Sequence, residues 1–295
     1  MLKDKKIVVT GAAGSIGSEL TRQLAKDNEV LAIDINEIGV FRLFEELRDE
    51  KTPIQCLLGD VRDKNVFTKA KAIFGYPEYI FHAAALKHVI TSSWWPDEYI
   101  KTNILGTLNV ISAAKRLKAK LINISTDKTV NASSMMGATK FVSEMMVRDA
   151  GFVSVRFGNV LGSRGSVLEI WERQIAEGQP VTITDKRMKR FMMTIGEAVG
   201  LIIRAAEIGQ PSQVIILKMG DQVSILELAQ KILKEKRSKV GLKVIGMNVG
   251  EKLGEVLMTD EEQKRAREVE NFWVIPPEWI NFTKDKHGYG LYIGE

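Results

Sequence analysis

Short apolar runs alternate with amphipathic segments along the first half of the chain. Six of these runs predict β-strands, at residues 6–10, 30–34, 54–58, 79–83, 119–125 and 152–157. Helical periodicity separates most of them and is clearest over residues 97–117, where Ile100, Ile104, Leu108 and Ile111 would share one face. Such alternation predicts a doubly wound α/β fold, in which a parallel sheet carries helices on both faces.

The alternation weakens after Arg156. Helical patterns near residues 165–177, 196–208 and 224–236 are interrupted by strand patterns near 181–184 and 214–217. This mixture predicts a smaller mixed α/β lobe that closes over the sheet. We therefore predict a sheet domain at residues 1–156 and a substrate-binding lobe at residues 157–295, with an approximate boundary and interleaved parts.

The composition is that of a soluble globular protein, with 45% hydrophobic and 27% charged residues among 295. The single cysteine, Cys56, excludes an internal disulfide and is predicted to be a small buried hydrophobe. No apolar stretch approaches the roughly 18 residues that a membrane-spanning helix needs. The start of the chain has no signal-peptide pattern. Together these features predict a cytoplasmic protein.

The net charge of +5 raises the question of anionic partners. The densest basic run, at residues 231–239, lies on a predicted helix, and no aromatic residue interleaves with its lysines. A solvated helix face accounts for this run, so we expect no nucleic-acid partner. The histidines, His82, His88 and His287, lack metal-ligand spacing, so we expect no metal either.

A glycine-rich segment follows the first predicted strand. Gly11, Gly14 and Gly17 lie between that strand and a helix, with Ser15 and Ile16 between the last two glycines. Glycine allows a tight turn at the first position, close approach of backbone amides to a pyrophosphate at the second, and close helix–strand packing at the third. The pyrophosphate would lie at the partly positive helix N-terminus. This context predicts a Rossmann-type dinucleotide site.

Asp34 ends the second predicted strand, where a carboxylate can accept hydrogen bonds from the adenosine ribose hydroxyls. The same carboxylate would repel a 2′-phosphate, which favours NAD over NADP as the cofactor. The alternative interpretation of Asp34 is a turn residue that caps the next helix. The glycine turn upstream favours the ribose-binding interpretation.

Two further loops are predicted to contact the dinucleotide. Asp60 and Val61 follow the third strand, where Asp60 would bind the adenine amino group and Val61 would pack on the ring. Ala83, Ala84 and Ala85 follow the fourth strand, where small side chains would let the backbone approach the cofactor. Tight packing of a helix on the sheet would also require such alanines, and the two roles are compatible.

The loops after the later strands carry motifs that resemble a known family. In chain order the segments are "TGAAGSIGSEL", "LLGDVRD", "HAAALKHV", "KTNILGTLNV", "STDKTVN", "MGATK", "RFGNVLGSRGSV", "RFMMTI", "KMGDQVSILELA" and "GEKLGE". Almost from end to end, they resemble the UDP-N-acetylglucosamine 4,6-dehydratases, extended short-chain dehydrogenase/reductases of polysaccharide biosynthesis. Met136 stands where many members have tyrosine, which is similar to the methionine-type members that retain configuration at C5.

The resemblance implies NAD-dependent removal of water from UDP-N-acetylglucosamine. Hydride leaves C4 of the sugar, water is eliminated across C5 and C6, and hydride returns to C6. Elimination requires an acid at the C6 oxygen and a base at C5, and Asp127 and Lys128 would supply them. Thr126 would bond the sugar near O4, and Lys140 would bind the nicotinamide ribose. Either a bound water or Asp127 would take the O4 proton.

Each of these catalytic assignments has a plainer alternative. An Asp-Lys dipeptide in a loop is often an exposed surface pair, and Met136 fits a packing position on an amphipathic helix. The resemblance also implies a homo-oligomer and a UDP site. The residues of that site would be Lys87, Asn159, Arg164, Thr182, Arg190, Lys252 and Glu255. The arginines suit a diphosphate by charge and by their forked donors, although each would equally suit a surface ion pair.

Two other functions account for part of the sequence. A UDP-hexose 4-epimerase would share the cofactor and UDP sites but would not need Asp127 and Lys128. A non-catalytic NAD-binding regulatory protein would account for the missing tyrosine. It would leave the Asp-Lys pair and the UDP-site segments without a role.

Overall fold

A computed structural model describes residues 2–48 and 54–277, together with the backbone of two later strands. In chain order the strands are Lys6–Thr10 (β1), Glu29–Asp34 (β2), Ile54–Leu58 (β3), Tyr79–His82 (β4), Lys120–Ile124 (β5), Val153–Arg156 (β6), Asn159–Leu161 (β7), Val181–Ile183 (β8), Lys189–Arg190 (β9), Met192–Thr194 (β10), Val214–Leu217 (β11), Val223–Ser224 (β12), Leu242–Val244 (β13), Arg267–Val269 (β14), Phe272–Ile275 (β15), Asn281–Asp285 (β16) and Gly288–Tyr292 (β17). His287 lies outside the described residues.

The α-helices are Ser15–Ala25 (α1), Glu37–Leu47 (α2), Val66–Phe74 (α3), Val89–Ser92 (α4), Pro96–Tyr99 (α5), Thr107–Leu117 (α6), Met135–Asp149 (α7), Val167–Ala176 (α8), Ile195–Ile208 (α9), Ile225–Glu235 (α10) and Asp260–Arg265 (α11). A π-helical segment, Ile100–Gly106, joins α5 to α6, so the long helix predicted over residues 97–117 is divided into three pieces. A 3₁₀ turn, Asp127–Thr129, follows β5.

One large sheet organises the fold, with the strand order β14-β15-β11-β6-β5-β4-β1-β2-β3. From β11 to β3 all neighbouring strands are parallel, whereas β15 and β14 run antiparallel at one edge. Strand order reverses between β1 and β4, and this switch point is where doubly wound folds bind ligands. The prediction of a Rossmann-type doubly wound sheet is confirmed.

Two apolar cores cover the faces of this sheet. Along β1, Ile7 and Val9 face one core and Val8 faces the other. The helices α1 and α9 contribute Leu20 and Ile202 to the first core, whereas α3 and α6 cover the opposite face. Strands buried on both faces read as nearly continuous apolar runs, which is why the sequence marks them so clearly.

The strand at Val214–Leu217, which lies in the range predicted for the second lobe, belongs to the central sheet. It pairs in parallel with β6 and in antiparallel with β15. Its four apolar residues are all buried, as expected for a central strand, but hydrophobic pattern alone does not identify a strand's partner. After residue 157 the chain therefore builds the smaller lobe and then returns to the sheet.

The smaller lobe packs around Trp171, which is completely buried and donates its indole N–H to the Thr182 carbonyl at 2.8 Å. The helices α8 and α10 and the strand β8 supply the surrounding apolar residues. On α10 the basic residue Lys231 is exposed, as predicted for a solvated helix face. Within the described residues, no helix has both the length and the apolar composition needed to cross a bilayer.

Candidate active site

The glycine turn after β1 is packed too closely for side chains. Gly11 has a φ of +70°, and a Cβ there would lie 2.5 Å from the backbone nitrogen of Ala84. A Cβ on Gly17 would lie 2.0 Å from the Gly11 carbonyl oxygen. The glycines thus let β1, α1 and the loop after β4 approach one another at the switch point, as the sequence predicted for a dinucleotide turn.

A cavity of about 460 Å³ opens beside this turn. Its wall includes most of the residues predicted to bind the cofactor, namely Gly11, Gly14, Asp34, Asp60, Val61, Ala83, Ala84 and Ala85. Other lining residues were not predicted, among them Ile35, Asn36, Arg62, Leu86, Glu98 and Thr102. Small residues at the turn, a carboxylate at the end of β2 and an apolar wall suit a dinucleotide, so the residues present fit the predicted cofactor.

Asp34 connects the glycine turn to the next helix. Its carboxylate accepts hydrogen bonds from the backbone N–H of Ala13 and of Asn36, both at 2.9 Å. The cap of α2 is Asn36, whose side chain accepts from the N–H of Gly39. Helix capping is therefore not the role of Asp34, and its half-buried carboxylate retains lone pairs toward the cavity.

Asp60 is paired more tightly than the sequence suggested. It accepts from Arg62 Nε at 2.6 Å, and Arg62 Nη1 donates to Glu98 at 2.6 Å. This row of carboxylate, guanidinium and carboxylate forms one edge of the cavity. Val61, between the paired residues, is buried in the core below. A bound adenine would have to share Asp60 with this arginine.

The remaining residues predicted around the glycine turn support it from behind. Ile16 packs against the core cluster that contains Leu20 and Leu24. Ser15 Oγ accepts a hydrogen bond from the backbone N–H of Arg164 at 2.9 Å. Neither Ser15 nor Ile16 is part of the cavity wall, although Ser15 begins the helix to which a pyrophosphate would be directed.

Asp127 and Lys128 lie directly after β5 and form an ion pair. Asp127 is fully buried, and its Oδ1 accepts from Lys128 Nζ at 2.9 Å and from Thr126 Oγ1 at 3.0 Å. Lys128 Nζ also donates to Asn159 Oδ1 at 3.0 Å. The interpretation of an exposed surface pair was therefore wrong, because the carboxylate has no exposed surface and the ammonium-bearing side chain is 20% exposed.

One oxygen of Asp127 has no partner. Asp127 Oδ2 is buried without a hydrogen bond. It faces Gly158, where an added Cβ would lie 3.0 Å from this oxygen, 2.8 Å from Phe191 Cβ and 3.2 Å from Met219 Sδ. A buried, unpartnered carboxylate oxygen is costly to maintain. It leaves an acceptor, or in the protonated acid a donor, available at this point.

Lys140 lies one helical turn after Met136 on α7, so both side chains point to the same face. Its Nζ donates to the Ile124 carbonyl at the end of β5 at 2.6 Å. Burial lowers the pKa of Lys140 to about 8, and the nearby Glu144 carboxylate partly opposes this shift. Met136 is buried in the first turn of α7, where Ser134 caps the helix by accepting from Gly137 N–H.

Asn103, in the π-helical segment, is a site residue that the sequence did not reveal. Its side-chain amide donates to the Leu86 carbonyl and to Thr139 Oγ1, both at 3.0 Å, and accepts from the Leu86 N–H at 2.8 Å. This residue therefore fixes the loop of Ala83–Leu86 to helix α7. A buried asparagine within an otherwise apolar helical pattern is the signal that would have identified it.

Of the three histidines, the structure describes His82 and His88. His82 is buried between Thr10 Oγ1 at 2.8 Å and Thr107 Oγ1 at 3.1 Å. Burial, together with the Lys140 charge, lowers the pKa of His82 to about 3, so its ring is neutral. Among the residues that the structure describes, no group of three histidine, cysteine or acidic side chains is placed to hold a metal ion. Cys56 is half-buried on β3 and packs against the core.

Three of the residues predicted to bind UDP lie together. Arg190 is buried and donates to the carbonyls of Lys252 and Leu253 at 2.9 and 3.3 Å. Lys252 Nζ lies 3.4 Å from Glu255 Oε2 and donates to the Val130 carbonyl at 2.7 Å. The Lys252 contact joins this group to the loop of Asp127.

A second cavity, of about 570 Å³, lies beside this group. It is lined by Arg187, Lys189, Phe191, Gly220, Asp221, Gln222, Leu253 and Gly254, none of which was predicted to bind UDP. A Cβ on Gly254 would lie 3.2 Å from Gln222 Oε1, another residue of this wall. Of the other residues predicted here, Thr182 bonds Gln174 on α8, and Lys87 Nζ lies 3.4 Å from Ser163 Oγ.

Arg164 is not with these residues. Its guanidinium donates to the Ala13 carbonyl at 2.6 Å, and it lines the cavity of the glycine turn. Arg164, also predicted to bind UDP, therefore lies apart from Arg190, Lys252 and Glu255. Residue type alone suited any phosphate, and only the fold shows which of two cavities the arginine faces.

Comparison with known proteins places this architecture in a family. A model described as polysaccharide biosynthesis protein matches residues 7–277. The chain belongs to this polysaccharide biosynthesis family. An uncharacterized membrane protein of Methanocaldococcus jannaschii is 41% identical over 96% of this chain and 89% of that protein. The capsular polysaccharide biosynthesis protein CapD of Staphylococcus aureus is 40% identical over 88% of this chain, which spans 46% of CapD.

Two further proteins are similar to this chain along most of its length. A protein of Rickettsia bellii named UDP-glucose 4-epimerase is 36% identical over 96% of this chain and 87% of that protein. The X-ray structure of Pen from Bacillus thuringiensis matches with a TM-score of 0.87 and 36% identity, over 93% of this chain and 89% of that one. The resemblance to extended short-chain dehydrogenase/reductases of polysaccharide biosynthesis is thus confirmed at the level of the family.

Proposed function

We propose that this protein is an NAD-dependent 4,6-dehydratase that converts UDP-N-acetylglucosamine to the UDP-4-keto-6-deoxy sugar. The observation that carries this proposal is the buried Asp127–Lys128 pair with its unpartnered Asp127 Oδ2. A reaction that only oxidises and reduces C4 does not need a second acid and base. Elimination of water needs both, and the chain holds candidates for both after β5, beside the helix that carries Lys140.

The residues of the cavity at the glycine turn would hold NAD, and the bound cofactor would supply hydride chemistry, that is, removal of hydride from C4 of the sugar and its return to C6. Gly11 and Gly14 would admit the pyrophosphate, and Asp34 would accept from the adenosine ribose hydroxyls. Lys140, held by the Ile124 carbonyl, would bind the nicotinamide ribose. Because its pKa is about 8, its ammonium form, with three donors, predominates at neutral pH.

The Asp127–Lys128 contact supports a series of proton transfers that ends with the ion pair in its starting protonation state. Transfer of one proton across the 2.9 Å contact makes a neutral acid and a neutral amine. Lys128 then takes the C5 proton, and Asp127 gives its proton to the departing C6 oxygen, so water leaves and the ion pair is restored. Thr126, bonded to Asp127, would meet the sugar near O4. Asn159 holds the Lys128 amine from the other side.

UDP would bind on the side of the second cavity. Arg190, Lys252 and Glu255 form one connected group there, and Lys252 contacts the loop of Asp127 through Val130. This contact would place the UDP side of the site next to the loop that carries the proposed acid and base. Thr182 and Lys87 lie on other elements. Their roles in binding UDP are proposed from the family resemblance alone.

A homo-oligomer is part of the proposal. Two neighbouring helical elements expose apolar side chains, with Leu105 and Leu108 near the start of α6 and Phe141, Val142 and Met145 on α7. Exposed apolar residues on adjacent helices are typical of surfaces that pack on another subunit. Light scattering after size-exclusion chromatography measures the assembly, and a monomer at micromolar concentration would refute this part.

The second candidate is a UDP-hexose 4-epimerase, which the identity to the Rickettsia bellii protein favours. Mass spectrometry of UDP-N-acetylglucosamine incubated with the purified protein separates the two. A dehydratase yields a product lighter by one water. An epimerase leaves the mass unchanged and produces the C4 epimer, which chromatography resolves. Absence of both products would favour the non-catalytic alternative.

Cofactor preference gives a separate test of the dinucleotide site. NAD should bind more tightly than NADP, because a 2′-phosphate would face the Asp34 carboxylate while Arg62 is already paired with Asp60 and Glu98. Asp34→Ala combined with Asn36→Arg should reduce or reverse the preference. Fluorescence titration with both dinucleotides measures it, and equal affinities in the unsubstituted protein would contradict the role given to Asp34.

A further inference from the structure

Arg164 makes two contacts with the glycine turn. Its Nη1 donates to the Ala13 carbonyl at 2.6 Å, and its backbone N–H donates to Ser15 Oγ at 2.9 Å. These partners are 151 and 149 positions away in the chain. Because both lie at the junction of β1 and α1, main chain and side chain together fix Arg164 at the place where a dinucleotide pyrophosphate would bind.

The segment around Arg164 spans the cleft between β1 and β4. On its other side, Ser163 Oγ lies 3.4 Å from Lys87 Nζ, in the loop after β4. Gly165 lies so close to His88 that a Cβ would come within 2.6 Å of the imidazole Cε1. Gly165 has a φ of +67°, which favours glycine and lets the backbone bend there. Residues 163–165 thus cross the switch point.

The charges of the cavity wall give Arg164 a particular importance. Of the cavity-lining residues that the structure describes, the two cations are Arg62 and Arg164. Arg62 is engaged by Asp60 and Glu98, two carboxylates that already offset its charge. Arg164 has no acidic partner among its described contacts, and one of its five N–H donors is used by Ala13. The others form a fork that matches phosphate oxygens.

We propose that Arg164 binds the pyrophosphate of the dinucleotide cofactor, rather than the diphosphate of the UDP-sugar. The inference rests on the proposed function for the identity of the cofactor. Arg164 would complete a site whose other side is formed by the amides of the glycine turn. The segment that carries it would then cover the cofactor and leave it in place while sugar nucleotides exchange at the second cavity.

Separate titrations with NAD and with UDP test this, after removal of any nucleotide that copurifies. Arg164→Met, which keeps the aliphatic stem, should weaken NAD binding by about 10- to 100-fold, the loss expected for hydrogen bonds to a charged group. UDP binding should change less than about twofold. The NAD affinity of Arg164→Lys should lie between those of the unsubstituted protein and Arg164→Met, because an ammonium group keeps the charge but lacks the forked donors of a guanidinium. NAD affinity of the unsubstituted protein should also fall more steeply with salt than that of Arg164→Met.

Arg173→Met is the matched control, since Arg173 is an exposed arginine on α8 outside both cavities. It should bind both nucleotides like the unsubstituted protein. Unchanged NAD binding by Arg164→Met, or a loss of UDP affinity as large as the loss of NAD affinity, would overturn the inference. If the unsubstituted protein binds no NAD, the proposed function itself fails. If it binds NAD and Arg164→Met binds it equally well, only the inference fails.

Discussion

Replacement of Asp127 by asparagine is expected to slow dehydration of UDP-N-acetylglucosamine by about 10²- to 10⁴-fold, the contribution typical of a positioned acid or base. Asparagine keeps the shape of the side chain and its contacts with Thr126 and Lys128, but it cannot release a proton to the departing oxygen. Because the substitution is nearly isosteric, NAD and UDP should still bind. Mass spectrometry of the product measures the rate.

Lys128→Met should cause a loss of the same order and should also slow exchange of the sugar C5 proton with deuterated water. Asp27→Asn is the control, because Asp27 is an exposed aspartate that lies 4.0 Å from Lys3 in a surface ion pair. It should leave the rate unchanged. If both Asp127→Asn and Lys128→Met dehydrate the substrate at nearly the normal rate, the pair is structural and the catalytic assignment is refuted.

Arg156→Met is expected to lower the free energy of unfolding by about 3–5 kcal/mol, the cost of leaving a buried charge without its partner. Arg156 is 2% exposed and lies between the carboxylates of Glu144 and Glu262, which are 2% and 12% exposed. It also donates to the Leu257 carbonyl at 2.9 Å. Its loss would strand the Glu144 carboxylate next to Ser125 in the core. Denaturant titration measures the change.

Arg204 provides a matched comparison on the surface. It too pairs with two carboxylates, Glu207 and Glu270, but it is 45% exposed. Solvent screens such pairs, so Arg204→Met should change stability little. Combining Arg156→Met with Glu144→Leu should recover part of the loss, because both members of the buried pair are then apolar. Equal effects of Arg156→Met and Arg204→Met would show that burial does not determine the cost.

The sequence predicted the strands and helices, and the residues that line the cavity at the glycine turn, more completely than the residues that line the second cavity. The central strands from β1 to β6 are covered on both faces, so their apolar runs stand out. The glycine spacing before α1, with a strand before it and a helix after it, is typical of a dinucleotide turn. Val214–Leu217 was recognised as a strand but not as a neighbour of β6, since partners of parallel strands are distant in sequence. The break of the long helix at Ile100–Gly106 left its periodicity nearly intact.

Within the candidate site, residue type predicted chemistry but not location. The sequence identified Asp127 and Lys128 as a pair. Only the fold shows that they are buried, which distinguishes them from an ordinary surface ion pair. Arg164 suited any phosphate, and its contact with Ala13 directs it to the cofactor cavity. Asn103 and Arg62 act through partners far along the chain, such as Thr139 and Glu98, which no local pattern reveals.

The position of β11 beside β6 has a consequence for synthesis of the chain on the ribosome. β6 emerges before β11, because residues 157–213 must be translated between them. During that interval one edge of the nascent sheet presents unpaired backbone groups beside Val153 and Val155, which are buried in the finished protein. Such an edge can pair with another nascent chain. Completion of the sheet therefore has to wait for the second half of the polypeptide, and a fragment ending at Arg156 would keep this aggregation-prone edge permanently.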